Sequence, residues 1–272
     1  VCVVLRWALP ISCAAAGGAA ARWRPAGPAA RFQLDAASVE AAWTPATRGV
    51  LLASPSNPTG TSIARAEMRA IAEAVRARGG VTLVDEIYLG LSYDEAFGRT
   101  ALGLEDGLGE GIVSINSFSK YFSMTGWRLG WMVLPPALVP AVEKLAQNLY
   151  ICPSSIAQQA ALACFEPASI AEYERRRRAF RARRDLVVPA LDALGLTVPV
   201  RPDGAFYAWA DVSRFAASSW DFGFDMMRRA HVALTPGRDF GPAAAERYCR
   251  LSFATATPLL EQALARLKRE LG

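Results

Sequence analysis

Lys120 stands in the string Ser117-Phe118-Ser119-Lys120, directly after the apolar run Gly111-Ile112-Val113-Ser114-Ile115. Of thirty basic residues only Lys120, Lys144 and Lys268 are lysines. An amine can lose its proton and form a Schiff base, whereas a guanidinium in practice cannot. Lys120 is therefore a candidate covalent anchor for a carbonyl compound. Ser117 and Ser119 bring two hydroxyls beside it, and Arg128 follows eight residues on. That set suits a phosphate dianion, with the arginine supplying a two-pronged fork.

Two other apolar runs end in polar strings. One is Ser54-Pro55-Ser56-Asn57-Pro58-Thr59-Gly60, a rigid turn in which the Asn57 amide can both donate and accept. The other is Asp85-Glu86-Ile87-Tyr88, where an acid leaves an apolar run, a costly placement unless a cation meets it. Taken one at a time these strings read equally well as a turn, a helix cap and a serine-rich loop. Taken together they assemble an amine, an acid, a phenol, an amide and a phosphate cradle.

The elements that must position these groups follow from periodicity. Gly49 to Ala53, Val81 to Val84, Ile112 to Ile115 and Leu129 to Leu134 read as buried strands. Helical spacing marks Ala37 to Trp43 and Ala66 to Arg78, the latter stopping at Gly79-Gly80. Strand and helix in alternation predict an α/β fold with a mostly parallel sheet. Ligands of such sheets bind beyond the carboxyl ends of the strands, where all three polar strings fall. After Pro135-Pro136 the pattern predicts helices over 137–149, 154–164 and 168–194. Short strands follow over 197–200, 205–210, 232–235 and 248–253, and a helix over 258–271 closes the chain. This second half reads as a smaller α+β domain hinged on a long arginine-rich helix.

Composition bounds the rest. The 272 residues are 52% hydrophobic and 20% charged, enough for a large core, and no run of eighteen uncharged apolar residues marks a membrane span. The net charge of +5 is concentrated around Arg175-Arg176-Arg177-Arg178, but Glu172, Glu174 and Asp185 interrupt the run. It reads as a solvated helix face rather than a nucleic-acid surface. Five cysteines without CxxC spacing give neither a disulfide framework nor a zinc site, so a cytoplasmic location is expected. The single histidine, His231, reads as a helix–strand junction residue. Residues 1–34 are rich in Ala, Gly, Arg and Pro with no sustained period, and read as an irregular segment, truncated or frame-shifted. The expected organisation is that segment, then a partial large domain over 35–152 and a small domain over 153–272.

The strings SNPTG, VDEIY, SFSKYFSMTGWRLGW, GAFYAW, TPGRDFG and YCRLSFA resemble those of fold type I pyridoxal-phosphate aminotransferases of class I/II, the aspartate aminotransferase superfamily. The resemblance runs from about Phe32 to the C-terminus. It implies the PLP-transferase fold, with pyridoxal 5'-phosphate as cofactor, an amino acid and a 2-oxo acid as substrates, and a homodimer. It implies that Lys120 holds the cofactor as a Schiff base and then moves protons as base and acid. Asp85 would pair with the pyridine nitrogen, and Tyr88 and Asn57 with the phenolic oxygen. Ser117, Ser119 and Arg128 would bind the phosphate. Arg250, with Asn57 assisting, would clamp the substrate carboxylate. Phe206 and Tyr207 read as packing residues near the site.

The family's long N-terminal block, which adds backbone amides to the phosphate and an aromatic ring over the pyridine, is not matched ahead of the SNPTG turn. Trp7 and Trp23, the only aromatics before Phe32, are assigned to neither role. Weakened cofactor affinity is the expected consequence. A truncated, non-catalytic remnant and a lyase of the same fold are the alternatives to a transaminase.

Overall fold

The computed structural model describes residues 2–4, 21–23 and 26–272. A six-stranded sheet forms the larger half. Its strands are β1 (Cys2–Val4), β2 (Ala21–Trp23), β3 (Gly49–Ala53), β4 (Val81–Asp85), β5 (Ile112–Ser117) and β6 (Gly130–Val133). They lie in the order β2-β1-β3-β4-β5-β6. The first five are parallel and β6 runs antiparallel to β5. One feature of this sheet differs from the sequence reading: β1 and β2 come from within the segment read as irregular. β6 reverses direction at the edge of a sheet that is otherwise parallel, as a mostly parallel sheet allows. The reversal has a simple cause: residues 118–129 contain no α-helix, and a parallel return needs a long crossover, usually helical.

Helices α1 (Ala36–Ala42) and α2 (Arg65–Ala77) seal one face of the sheet. Val39, Met68, Ile71 and Val75 pack there against Val50, Leu52, Val84 and Ile112. The Asp35 side chain caps α1 by accepting from Ser38 N at 2.7 Å, and Glu67 of α2 accepts from Ala36 N at 2.6 Å, fixing one helix on the other.

The second half begins with α3 (Val139–Leu149), α4 (Ser155–Leu162) and the long α5 (Pro167–Ala193). Next come β7 (Tyr207–Asp211), α6 (Ser219–Asp225), β8 (Thr235–Pro236), β9 (Tyr248–Ser252) and the closing α7 (Thr257–Leu271). The three strands form an antiparallel sheet in the order β7-β9-β8. Strand alternation divides its two faces. Ala208, Ala210, Cys249 and Leu251 join the core of this half, with Val187, Leu191, Phe222 and Leu260. Tyr207, Trp209, Tyr248 and Arg250 face the other way. The predicted strand over 197–200 is not one. Leu196, Val198 and Val200 are buried in alternation as expected, yet 197–200 belongs to neither sheet, and one backbone bond, Asp211 N to Thr197 O at 2.8 Å, ties it to β7. The arginine-rich stretch of α5 is solvated, and hydrogen bonds from Arg175 and Arg176 hold the Glu172 carboxyl down to about 2.

Two contacts fix the strand ends relative to the second half. Gly60 closes the SNPTG turn at φ +68°, a conformation that favours glycine, and a Cβ there would lie 2.7 Å from Pro202 Cβ. Its carbonyl accepts from Asp203 N (2.8 Å) and Gly204 N (3.0 Å). The Asp203 carboxylate in turn accepts from Ser62 N at 2.8 Å and pairs with Arg31. Below the site, buried Glu86 accepts from Ser114 Oγ (2.6 Å), Thr100 Oγ1 (2.8 Å) and Ala101 N (2.7 Å). A buried donor stripped of its acceptor costs about 1–3 kcal/mol, so Glu86 locks the loop after β4 against β5.

One surface is unlike the rest. All four residues of β6 are exposed and α3 buries none of its residues. Twelve of the fifteen exposed large apolar side chains among the described residues fall between Trp127 and Ile170.

Candidate active site

The carboxyl ends of β3, β4 and β5 lie side by side, with Ala53 opposite Asp85 and Asp85 opposite Ile115. Asp85 is the last residue of β4 and is buried; one oxygen accepts from Ile87 N at 3.1 Å. Three residues on, Tyr88 is 2% exposed, and its hydroxyl lies 2.9 Å from that of Tyr207. Lys120, half-buried beyond the end of β5, places Nζ 5.5 Å from the centre of the Tyr88 ring and 6.0 Å from that of Phe206.

The serine loop is organised by its own hydroxyls. Ser117 Oγ accepts from Ser119 N at 3.0 Å, and the Ser119 carbonyl accepts from Thr125 Oγ1 at 2.5 Å. Arg128 sits at φ +56° after a short turn, and its Nη1 donates to the Thr125 carbonyl at 2.9 Å. The two serines and Arg128 thus share one loop through Thr125, with Arg128 exposed to solvent.

Arg250 reaches the same region from β9. Its Nη1 donates to Asn57 Oδ1 at 2.7 Å and its Nη2 to Thr235 Oγ1 at 3.4 Å. The guanidinium carbon lies 4.4 Å over the Tyr207 ring and 4.8 Å from the Phe240 ring centre. Nε is buried without a hydrogen-bond partner, and among the described residues Arg250 makes no ion pair. Burial pushes the guanidinium below the ordinary arginine value, against the attraction of Tyr207, Tyr88 and Asp239. A desolvated cation held by one neutral amide and two aromatic rings has the chemistry of an anion receptor.

Contacts thus run from Lys120 to Tyr88, Tyr207, Arg250 and Asn57, with Asp85 at the head of the loop that carries Tyr88. Trp7 and the side chain of Trp23, assigned to neither role from the sequence, lie outside the described residues. Tyr207, read from sequence as packing near the site, is buried there against Tyr88 and Leu91, and its hydroxyl is also hydrogen-bonded to that of Tyr88. The signal was available in the alternation Tyr207-Ala208-Trp209-Ala210, which puts Tyr207 and Trp209 on the face opposite the two alanines.

A largely parallel α/β sheet with a lysine, a buried acid, a phenol and an amide at adjoining strand ends defines the fold of the pyridoxal-phosphate transferases. The chain belongs to the aminotransferase class I and II family, whose model matches residues 7–267. The valine–pyruvate aminotransferase of Mycobacterium tuberculosis is 40% identical over 243 residues, covering 89% of this chain and 62% of that protein. An aminotransferase structure from M. tuberculosis superposes with a TM-score of 0.91 at 36% identity, over 99% of this chain and 69% of that one. The aromatic aminotransferase of Pyrococcus horikoshii OT3 gives 0.92 at 32% identity, over 99% and 72%. The chain spans about 60% of the length of the curated relatives it matches. Enzymes of this family use pyridoxal 5'-phosphate. The donor set at the strand ends fits that group, with an amine for its aldehyde, a buried carboxylate for its ring nitrogen and hydroxyls for its phosphate.

Proposed function

We propose that the protein is an aminotransferase that moves an amino group between an amino acid and a 2-oxo acid. One observation carries this reading: the half-buried Arg250, which makes no ion pair among the described residues, shares a continuous contact chain with Lys120. An amino acid or a 2-oxo acid brings the missing carboxylate together with a reacting carbon for the lysine. Arg250 and Asn57 bind that carboxylate and so orient the α-carbon. Lys120 Nζ takes the proton from the α-carbon and returns one in the second half of the cycle.

When bound, pyridoxal phosphate supplies an aldehyde for an amine and a protonated ring that accepts electrons. Lys120 would anchor the aldehyde, and Asp85 would keep a proton on the ring nitrogen. Tyr88 and Asn57 would donate to the phenolic oxygen, while Ser117, Ser119 and Arg128 would hold the phosphate. The test is an amino-transfer assay with pyridoxal phosphate, a panel of amino acids and a 2-oxo acid. Product that requires both partners supports the reading. Ammonia released from an amino acid alone replaces it with elimination, and no turnover in any mixture overturns it.

We also propose that two copies of the chain associate through the apolar surface around β6 and α3. Single-sided exposure of that extent suits a self-complementary contact. Sedimentation should give a mass twice that of the chain, reduced to one copy by Leu149→Asp together with Ile151→Asp. A monomeric wild-type protein at tens of micromolar sinks the proposal. The cytoplasmic location expected from the cysteines is retained as part of this reading.

A further inference from the structure

Tyr88 has one hydroxyl proton and, on the reading above, must give it to an acceptor oxygen bound beside Lys120. Its oxygen lies 2.9 Å from Tyr207 Oη, so one of the two phenols donates to the other. If Tyr88 donated to Tyr207, its proton would be spent inside the protein. We infer that Tyr207 is a positioning residue of the site: its hydroxyl donates to Tyr88 Oη, leaving the Tyr88 proton for the bound acceptor, while its ring seats Arg250.

Three observations support the pairing and that double use, and the second of them, the cation over the Tyr207 ring, sets the direction. Tyr207 is fixed in β7 opposite Ser252, and Trp209, two residues on, faces Arg250, so Tyr207 lies diagonal to Arg250 on one sheet face. The guanidinium rests on the Tyr207 ring at 4.4 Å. A cation over a phenol ring draws electron density from it and makes its O–H a better donor. The Tyr88 and Tyr207 rings meet edge to face, 5.8 Å apart at 80°, which holds the two hydroxyls in register. A proton donated to Tyr88 in turn strengthens what Tyr88 donates onward. One residue therefore touches both the carboxylate clamp and the phenol beside the lysine.

The inference rests on the functional reading for its consequence but not for the pairing itself, so two measurements separate them. Tyr207→Phe keeps the ring under Arg250 and removes only the hydroxyl. In cofactor-free protein labelled at tyrosine 13Cζ, this variant should move the Tyr88 resonance; an unmoved resonance overturns the pairing. In protein loaded with pyridoxal phosphate, the pH midpoint of the visible absorbance reads the charge on the oxygen that Tyr88 serves. Donation from Tyr88 favours the form that has lost its proton, so weaker donation raises the midpoint. Tyr207→Phe should raise it by about 0.5–1 unit, the scale of one lost hydrogen bond. Tyr88→Phe should raise it further, and adding Tyr207→Phe to Tyr88→Phe should change nothing more. Additive shifts, or none in the single Tyr207 variant, overturn the relay. A wild-type protein that takes up no chromophore defeats the functional reading and with it the seat for the acceptor, while the resonance still decides the pairing.

Discussion

Lys120→Ala is expected to leave a folded protein that no longer holds pyridoxal phosphate after dialysis or after borohydride reduction, and whose amino-transfer rate falls at least about 1,000-fold. Two roles end together. On the proposed function the amine is the covalent anchor and the same nitrogen is the base at the α-carbon, a function worth about 10²–10⁴-fold alone. Folding should tolerate the change because the side chain is only half-buried and lies beyond the end of β5 rather than in a hydrophobic core. Lys120→Arg should be no better than alanine, since a guanidinium keeps its proton. That comparison separates chemistry from charge. Chromophore retained by Lys120→Ala, or rate restored by Lys120→Arg, would remove Lys120 from the centre of the site.

Asn57, Asp85 and Lys120 were legible for one reason: each lies in a polar string that follows a short apolar run. Asn57, Asp85 and the Ser117–Lys120 string are read as neighbours because parallel strands align their carboxyl ends, and the observed register sets Ala53 beside Asp85 and Asp85 beside Ile115. What stayed hidden depends on pairing rather than on pattern. β1 and β2 are three residues each, too short to show a period, and only their alignment on β3 makes them strands. The direction of β6 depends on the length and content of its connection, not on its own four residues. Thr197 to Val200 has the right alternation but no strand to complete it. Helix α6 begins at a Ser218 cap, whose hydroxyl accepts from Asp221 N at 3.4 Å, inside a stretch too short for helical spacing to stand out. Tyr207 was read from its neighbours as packing, and its hydroxyl partner lies 119 positions away.

The serine loop proposed to hold the phosphate is a middle case. Its residue types were legible, but its shape comes from backbone-directed bonds that spacing cannot give. Ser117 spends its oxygen on Ser119 N, and Thr125 ties the loop to Arg128. The Ser117 and Thr125 hydroxyls therefore organise the loop, and on the proposed function the exposed Arg128 would turn from the Thr125 carbonyl onto the phosphate.

Arg250→Met is expected to raise KM for amino acids and 2-oxo acids roughly 30- to 150-fold while changing the melting temperature little. The two effects have different origins. A two-pronged arginine–carboxylate contact contributes about 2–3 kcal/mol to binding, which is the affinity lost. In the ligand-free protein the same cation is partly desolvated, has no ion-pair partner among the described residues, and keeps a buried Nε with no acceptor. Methionine of similar length removes that unmet cost and still fills the space between the Tyr207 and Phe240 rings. The lost cation–π contacts, each about 0.5–2 kcal/mol, work against this gain, so the change in stability should be small either way. Binding should invert the comparison: a saturating carboxylate ligand raises the wild-type melting temperature by mass action and leaves that of Arg250→Met where it was. Arg250→Lys keeps the charge but not the fork and should fall between the two in KM. A residue held for structure alone would give the reverse pattern, a melting temperature several degrees lower in Arg250→Met with KM unmoved. Melting curves with and without the ligand therefore decide whether Arg250 exists to bind a carboxylate or to hold β9 in place.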